Sequence, residues 1–229
     1  MAILLYIDTA GEKAIVAISN NGQLLASQEN MQSNTHASFV QVAIEEIANK
    51  AGIKLKEIDA VVVTMGPGSY TGLRVGLSSA KGIAYALDKP LIGLSTLSLL
   101  AKHASENKQI INHPDTQIFS MIDAKRMEVF GAIYKLDNTV ILNEQPIILT
   151  EELLRELLKN GPVICVGNGA TKTKELLTHP SLFFIQESYN IHDIMHLGQQ
   201  SWEKSAFQDL AYSKPAYLKD FYQKNTAGS

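Results

Sequence analysis

The sequence predicts a two-lobed α/β architecture built by pseudo-duplication, and three observations lead there. The order strand, hairpin, helix, buried strand occurs once in each half of the chain. The 229 residues suffice for two lobes of roughly 100 residues each. Between the halves, Ser105 to Asp115 has few apolar residues besides Ile110 and Ile111 and contains Asn112-His113-Pro114, the mark of a linker.

In the first half, Ala2 to Ile7 reads as a short apolar strand ending at Asp8, and Thr9-Ala10-Gly11 as a turn. Ala14 to Ser19 forms a second strand, Asn20-Asn21-Gly22 a hairpin turn, and Gln23 to Gln28 the returning strand. Ser33 or Thr35 caps a helix in which Val40, Ala43, Ile44, Ile47, Ala48 and Ala51 recur at helical spacing before Gly52. Phe39 and Val42 widen its apolar arc, which suits either a broad core contact or a second side facing a partner. Ala60 to Thr64 is a buried strand, and Leu73 to Leu87 a helix rich in small residues. Lys89-Pro90 breaks it, Leu91 to Leu94 returns to the sheet, and Ser95 or Thr96 caps a helix through about Lys102.

The second half repeats the scheme. Gln117 to Asp123 and Glu128 to Tyr134 form a hairpin, Asp137-Asn138 a turn, and an extended stretch follows from about Thr139. Glu151 to Leu158 is helical, Val163 to Val166 a buried strand, and Gly167-Asn168-Gly169-Ala170 leads into another helix. Leu182 to Ile185 is a strand and Ile191 to Lys204 a final helix crossing back toward the first lobe. The expected division is therefore 1–104 joined by 191–218 as the first lobe, 116–190 as the second, and 219–229 as a flexible tail.

Composition narrows the function. A content of 45% hydrophobic and 19% charged residues is that of an ordinary folded protein. The net charge of -3 leaves no general cationic field for a nucleic acid backbone. The N-terminus lacks the basic segment and long apolar core of a secretion signal, which gives a cytoplasmic expectation with no membrane contact. Cys165, the single cysteine, lies in the apolar run Pro162 to Val166 and reads as a small buried hydrophobe, because a disulfide or thiolate metal site needs partners absent from the chain.

Four constellations could carry chemistry. Asp8 and Thr9 close the first strand, where a carboxylate either holds a metal or water near a phosphate or simply binds the amides of its own turn. Gly66-Pro67-Gly68-Ser69-Tyr70-Thr71-Gly72-Leu73-Arg74 follows a buried strand. Its glycines and hydroxyls suit an anion at a helix start, making Gly66, Gly68, Ser69 and Thr71 phosphate candidates. The loop fits neither GxxxxGK[ST] nor GxGxxG. Arg74 contacts either a phosphate or partner or else its own loop. Asp123-Ala124-Lys125-Arg126-Met127-Glu128 gathers two carboxylates and two cations at the opening turn of the second lobe, a set that solvated loop charges also explain. His192 and His196 stand one turn apart, but no HExxH order accompanies them, and GxSxG is absent. No catalytic residue and no metal site are therefore expected.

The segments THASFVQVAIEEI, VVVTMGPGSYTGLRVGLSSAKGIAYALDKPLIGLSTL, DAKRMEVF and KPAYLKD resemble, in this order, the bacterial TsaB (YeaZ) family, most closely from Ala60 to Leu97 and least from Thr139 to Ile191. The resemblance implies two actin-like (ribonuclease H-like) lobes and kinship to the catalytic subunit TsaD. It also implies action with TsaD and the ATPase TsaE in placing a threonylcarbamoyl group on the adenosine beside the anticodon of tRNAs reading ANN codons. It further implies a heterodimer with TsaD, or a homodimer without it, through the helices carrying His36, Phe39, Val40, Ala43 and Ile47, and Arg74, Leu77 and Lys81. On this reading the tRNA is contacted mainly through the complex. TsaD-like proteins hold a metal through two histidines four residues apart; His36 matches the first and Val40 replaces the second, so this chain is expected not to catalyse the transfer. No cofactor is required by the chain, while ATP or ADP belongs to the assembled complex. Tyr70 stands where phenylalanine is common, and the family's DAR tripeptide is DAK here, with Arg126 next, so the arginine's role falls on Lys125 or Arg126. An ATP-binding or hydrolysing enzyme of the same fold is the rival, and would show turnover sensitive to Asp8 and the glycine loop.

Overall fold

The computed structural model describes residues 2–31, 36–106, 113–186 and 188–219. The two sheets share one topology. In the first, β1 (Ile3–Asp8) pairs antiparallel with β2 (Ala14–Asn20), which pairs with β3 (Gln23–Asn30); β4 (Ala60–Gly66) lies parallel on the other side of β1, and β5 (Leu91–Ser95) beyond it, giving the order β3-β2-β1-β4-β5. The second sheet uses β6 (Gln117–Asp123), β7 (Glu128–Lys135), β8 (Val140–Ile148), β9 (Val163–Val166) and β10 (Leu182–Ile185) in the order β10-β9-β6-β7-β8. Replacing each strand of the first sheet by the strand five places later reproduces the second. The chain is a pseudo-duplicated, two-lobed actin-like α/β fold, as the recurring sequence pattern predicts.

Helices fill the layers. Helices α1 (His36–Ala51) and α2 (Tyr70–Leu87) cover one face of the first sheet, sealing Val40, Ala43, Ile44, Ile47, Leu77 and Ala80 against β1, β2 and β4. On the opposite face, α3 (Thr96–Ser105) and α6 (Ile191–Glu203) share a cluster that includes Tyr6 and Val62 of the first sheet and Ile118 and Ile164 of the second. This shared apolar layer joins the lobes. A methyl group at Gly198 would lie 2.6 Å from the Tyr6 ring, so α6 rides directly on β1. Helices α4 (Glu151–Lys159) and α5 (Thr171–Leu176) cover the outer face of the second sheet, where burial pushes the Cys165 thiol up to about 12.

Two helix ends lie three residues from the sequence expectation. Helix α2 starts at Tyr70 rather than Leu73, because the Ser69 hydroxyl accepts the Gly72 N–H and caps a turn whose glycine would otherwise mark a loop. Helix α3 runs to Ser105, past Lys102, because Lys102 pairs with Glu106 and His103 bonds Asp193 of α6 at 3.0 Å, holding the last turn in place. The expected caps Ser33 and Thr35, residues 107–112 of the expected linker, and the tail beyond Lys219 lie outside the described residues. No described helix is long and apolar enough to cross a membrane.

Candidate functional site

A cleft of about 1060 Å³ opens between the lobes, with Asp8, Gly68 and Ser69 on the first-lobe wall and Asp123, Phe130 and Asn168 on the second. Asp8 ends β1 and is 2% exposed. Its Oδ1 accepts the Ala10 N–H at 2.9 Å, and the Tyr189 hydroxyl bonds the same carboxyl. Burial raises the Asp8 pKa and outweighs those bonds and the distant charge of Lys13. Tyr189 is raised too, by its own burial and then by the Asp8 charge. Sequence reasoning missed Tyr189: it stands between Ser188 and Asn190, far from Asp8 in the chain and outside any motif.

The glycine loop lies against the turn after β1, and its geometry is that of close packing. The Ser69 N–H donates to Ala10 O at 2.8 Å, and the Leu73 N–H to Ser69 O at 2.8 Å. The Thr9 hydroxyl donates to Gly72 O at 2.7 Å. A Cβ at Gly68 would lie 2.3 Å from Ala10 O, one at Gly72 2.0 Å from Thr9 O, and one at Gly76 2.3 Å from Thr9 Oγ1. These glycines let two backbone segments touch. Part of the donor set expected for a phosphate is thereby turned inward: the N–H groups of Ser69, Gly72 and Leu73 have partners in the chain. Of the six phosphate candidates, Asp8, Gly68 and Ser69 line the cleft; Thr9 is buried behind the loop, Gly66 (φ 108°) packs on Leu73, and Thr71 is exposed on the first turn of α2.

In the second lobe, Asp123 ends β6 as Asp8 ends β1, but its side chain is 45% exposed. It accepts Lys172 Nζ at 2.5 Å and the Lys125 N–H at 2.6 Å, and the Lys172 bond draws its pKa down. Its own N–H donates to Asn168 Oδ1 at 2.8 Å. Lys125 and Arg126 form the hairpin tip with φ of 69° and 49°. Glu128 accepts Lys219 Nζ at 2.5 Å, while its carbonyl takes Lys172. Asp123 and Glu128 thus each meet a lysine from elsewhere in the chain. Asn168 and Lys172 were not predicted; the small-residue turn Gly167-Asn168-Gly169-Ala170 carried the only signal.

The helix residues expected at a partner surface divide in two. Val40, Ala43, Ile47 and Leu77 are between 0% and 5% exposed inside the chain's own core, so they are corrected to core residues. Their apolar spacing reported the sheet beneath rather than a partner. The outward face carries Gln41, Val42 and Glu45 of α1 and Ser78, Gly82 and Tyr85 of α2. Phe39 is half-buried, and the His36 side chain lies outside the described residues. Arg74 stacks 4.0 Å over the Tyr70 ring and donates from Nε to the Tyr217 hydroxyl at 3.0 Å; Lys81 Nζ donates to the carbonyls of Ala211 and Ser213, both at 3.1 Å. The intramolecular alternative therefore describes Arg74, whose partners are Tyr70 of its own loop and Tyr217 of the C-terminal segment. Among the described residues, no group of three or more His, Cys, Asp or Glu side chains is placed to hold a metal ion.

Comparison with known proteins sets this geometry in a family. The family model described as TsaD, tRNA N6-adenosine threonylcarbamoyltransferase, matches residues 23–227. The tRNA threonylcarbamoyladenosine biosynthesis protein TsaB of Escherichia coli is 28% identical over 224 residues, covering 95% of this chain and 94% of that protein. The Bacillus subtilis TsaB is 27% identical over 179 residues, 76% of this chain and 74% of its own length. The solved structure of YeaZ from Pseudomonas aeruginosa superposes with a TM-score of 0.79 at 24% identity, covering 95% of this chain and all of that one, and shares the fold.

Proposed function

From the premise that the chain belongs to the TsaD family, with TsaB proteins as relatives over nearly its whole length, we propose that it serves threonylcarbamoyladenosine synthesis in tRNA as a non-catalytic subunit. It binds a TsaD homologue and supports the transfer that TsaD performs, together with a TsaE homologue. The observation carrying the non-catalytic part is Val40. Where TsaD-like proteins place the second metal-binding histidine, this chain has an isopropyl group that is 0% exposed in the cluster beneath α1. An aliphatic side chain offers a metal no lone pair, and the missing ligand cannot be supplied by a group sealed in the core.

The glycine loop supports the same reading, since its Ser69, Gly72 and Leu73 N–H groups are satisfied within the chain rather than presented to a phosphate. The chain then requires no cofactor of its own, and ATP or ADP acts in the assembled complex. The outward face of α1 and α2, with Val42 at 55% and Tyr85 at 80% exposure, is the surface offered to the partner.

Reconstitution tests the proposal. With a TsaD homologue, a TsaE homologue, the enzyme that supplies threonylcarbamoyl-adenylate, and unmodified tRNA, the modified nucleoside should form only when this chain is present. It should still form when the chain carries Asp8→Asn. ATP turnover by the isolated chain that disappears in Asp8→Asn would favour the enzymatic reading instead.

A further inference from the structure

The segment after α6 is ordered along a defined path without regular secondary structure. Trp202 and Phe207 rings meet at 5.7 Å, and Gln208 bridges to Leu91, extending the first sheet beyond β5. Asp209 caps the next turn by accepting the N–H groups of Ala211 and Tyr212. Lys81 of α2 holds two carbonyls of the following residues, and the Ala216 N–H donates to Met65 O beside the glycine loop. Tyr217 lies 5.6 Å from Tyr70 and bonds Arg74. Lys219 then reaches Glu128, at the start of β7 in the other lobe.

We propose that residues 206–219 are a latch, seated on α2, that ties the first lobe to the β6–β7 hairpin beside the cleft and limits how far the lobes open. The placement carries the inference. Gly68 and Ser69, next to the latch's attachment at Met65, line one wall of the cleft, and Asp123 and Phe130, which flank Glu128, line the other. Elsewhere the lobes meet through the layer that α3 and α6 share with both sheets and, in the cleft, through the bond of Tyr189 to Asp8. A contact at the cleft rim restrains rotation about that layer. Because the seat is Arg74 and Lys81 on α2, whatever touches that helix face also touches the latch, so the outer helix surface and the cleft width are mechanically linked.

Hydrogen exchange of the full chain, free of any partner, tests the latch without depending on the proposed function. Lys219→Glu should speed exchange in the Gly66–Ser69 loop and the hairpin tip by roughly two- to fivefold, the range expected from losing one partly exposed ion pair. Amides of β4 and β6 should keep their rates and report that the fold is intact. The exchanged pair Lys219→Glu with Glu128→Lys should return both segments toward the wild-type rate. Lys81→Met, which loosens the seat while leaving the ion pair, should speed the same two segments. Unchanged rates in Lys219→Glu, or no recovery in the exchanged pair, would overturn the proposal.

Discussion

The two lobes are built to one plan and finished differently. Each has a strand ending in aspartate, Asp8 or Asp123, and each follows its parallel neighbour strand with a glycine turn, at Gly66 and Gly167, whose φ values are 108° and 98°. Both turns press against backbone, a Cβ at Gly68 falling 2.3 Å from Ala10 O and one at Gly167 2.1 Å from Met121 O, but in the first lobe the turn launches the 18-residue α2 and the aspartate is buried. In the second the turn leads into a single 3₁₀ turn and the six-residue α5, with Asn168 fastening the aspartate's amide and a lysine pairing its carboxylate in the open. The same topology thus supports a junction with a buried aspartate on one side and one with a solvated, paired aspartate on the other.

The largest test of this contrast is steric. Gly72→Ala would put a methyl group 2.0 Å from a backbone oxygen that has nowhere to go, whereas Gly169→Ala would meet the Val129 side chain at 2.8 Å and the Met121 Cβ at 3.0 Å. Urea denaturation should show a loss of about 3 kcal/mol for Gly72→Ala and about 1 kcal/mol for Gly169→Ala. Equal losses would mean the two junctions are alike.

Next come the aspartates, which should respond to pH with opposite signs. The folded-state pKa of Asp8 is raised by burial, so between the unfolded and folded values the native form keeps a proton that the unfolded chain releases. The stability it contributes is present below the unfolded value of about 3.9 and declines as pH rises through the folded one. Asp8→Asn, which keeps an acceptor for the Ala10 N–H, should remove that decline and leave the protein more stable than wild type at pH 7. Asp123 is lowered by Lys172, so its contribution is present above the unfolded value and fades as pH falls through the folded one. With a side chain 45% exposed it is worth at most about 1 kcal/mol, and Asp123→Asn should cost no more than that at pH 7. Melting curves from pH 3 to 8 read both slopes.

The smallest pair concerns caps. Ser69→Ala removes the acceptor for the Gly72 N–H at the start of an 18-residue helix and should cost about 1 kcal/mol. Asn168→Ala removes the acceptor for the Asp123 N–H at an exposed site that water can serve, and should cost about 0.5 kcal/mol.

The layout of the lobes was legible in the sequence because apolar period and turn residues report local structure directly: among the described residues every strand and α-helix was expected, with small shifts at the ends, while the short 3₁₀ helix Leu55–Glu57 was not. The site was less legible. Asp8 and the loop residues Gly68 and Ser69 do meet at the cleft, yet a glycine-rich turn reads the same whether its small residues admit a phosphate or a neighbouring backbone. Only the Thr9 and Ala10 carbonyls, distant in sequence, tell these apart. Val40, Ala43 and Ile47 carry a periodicity that says "buried" without saying under what. Tyr189 and the latch residues reach their partners across 143 positions or more in the cases of Tyr189 with Asp8 and Tyr217 with Arg74, a separation at which no pattern in one sequence points to a contact.

The central claim is that this chain acts by binding a TsaD homologue through the outer face of α1 and α2. Light scattering during size-exclusion chromatography, with the chain alone, the TsaD homologue of the same organism alone, and the two mixed at micromolar concentration, tests it most directly. The account predicts a new species containing both chains, and its loss when Val42→Glu places a charge on that face without touching the core. Separate peaks in the mixture, or a complex indifferent to Val42→Glu, would contradict it.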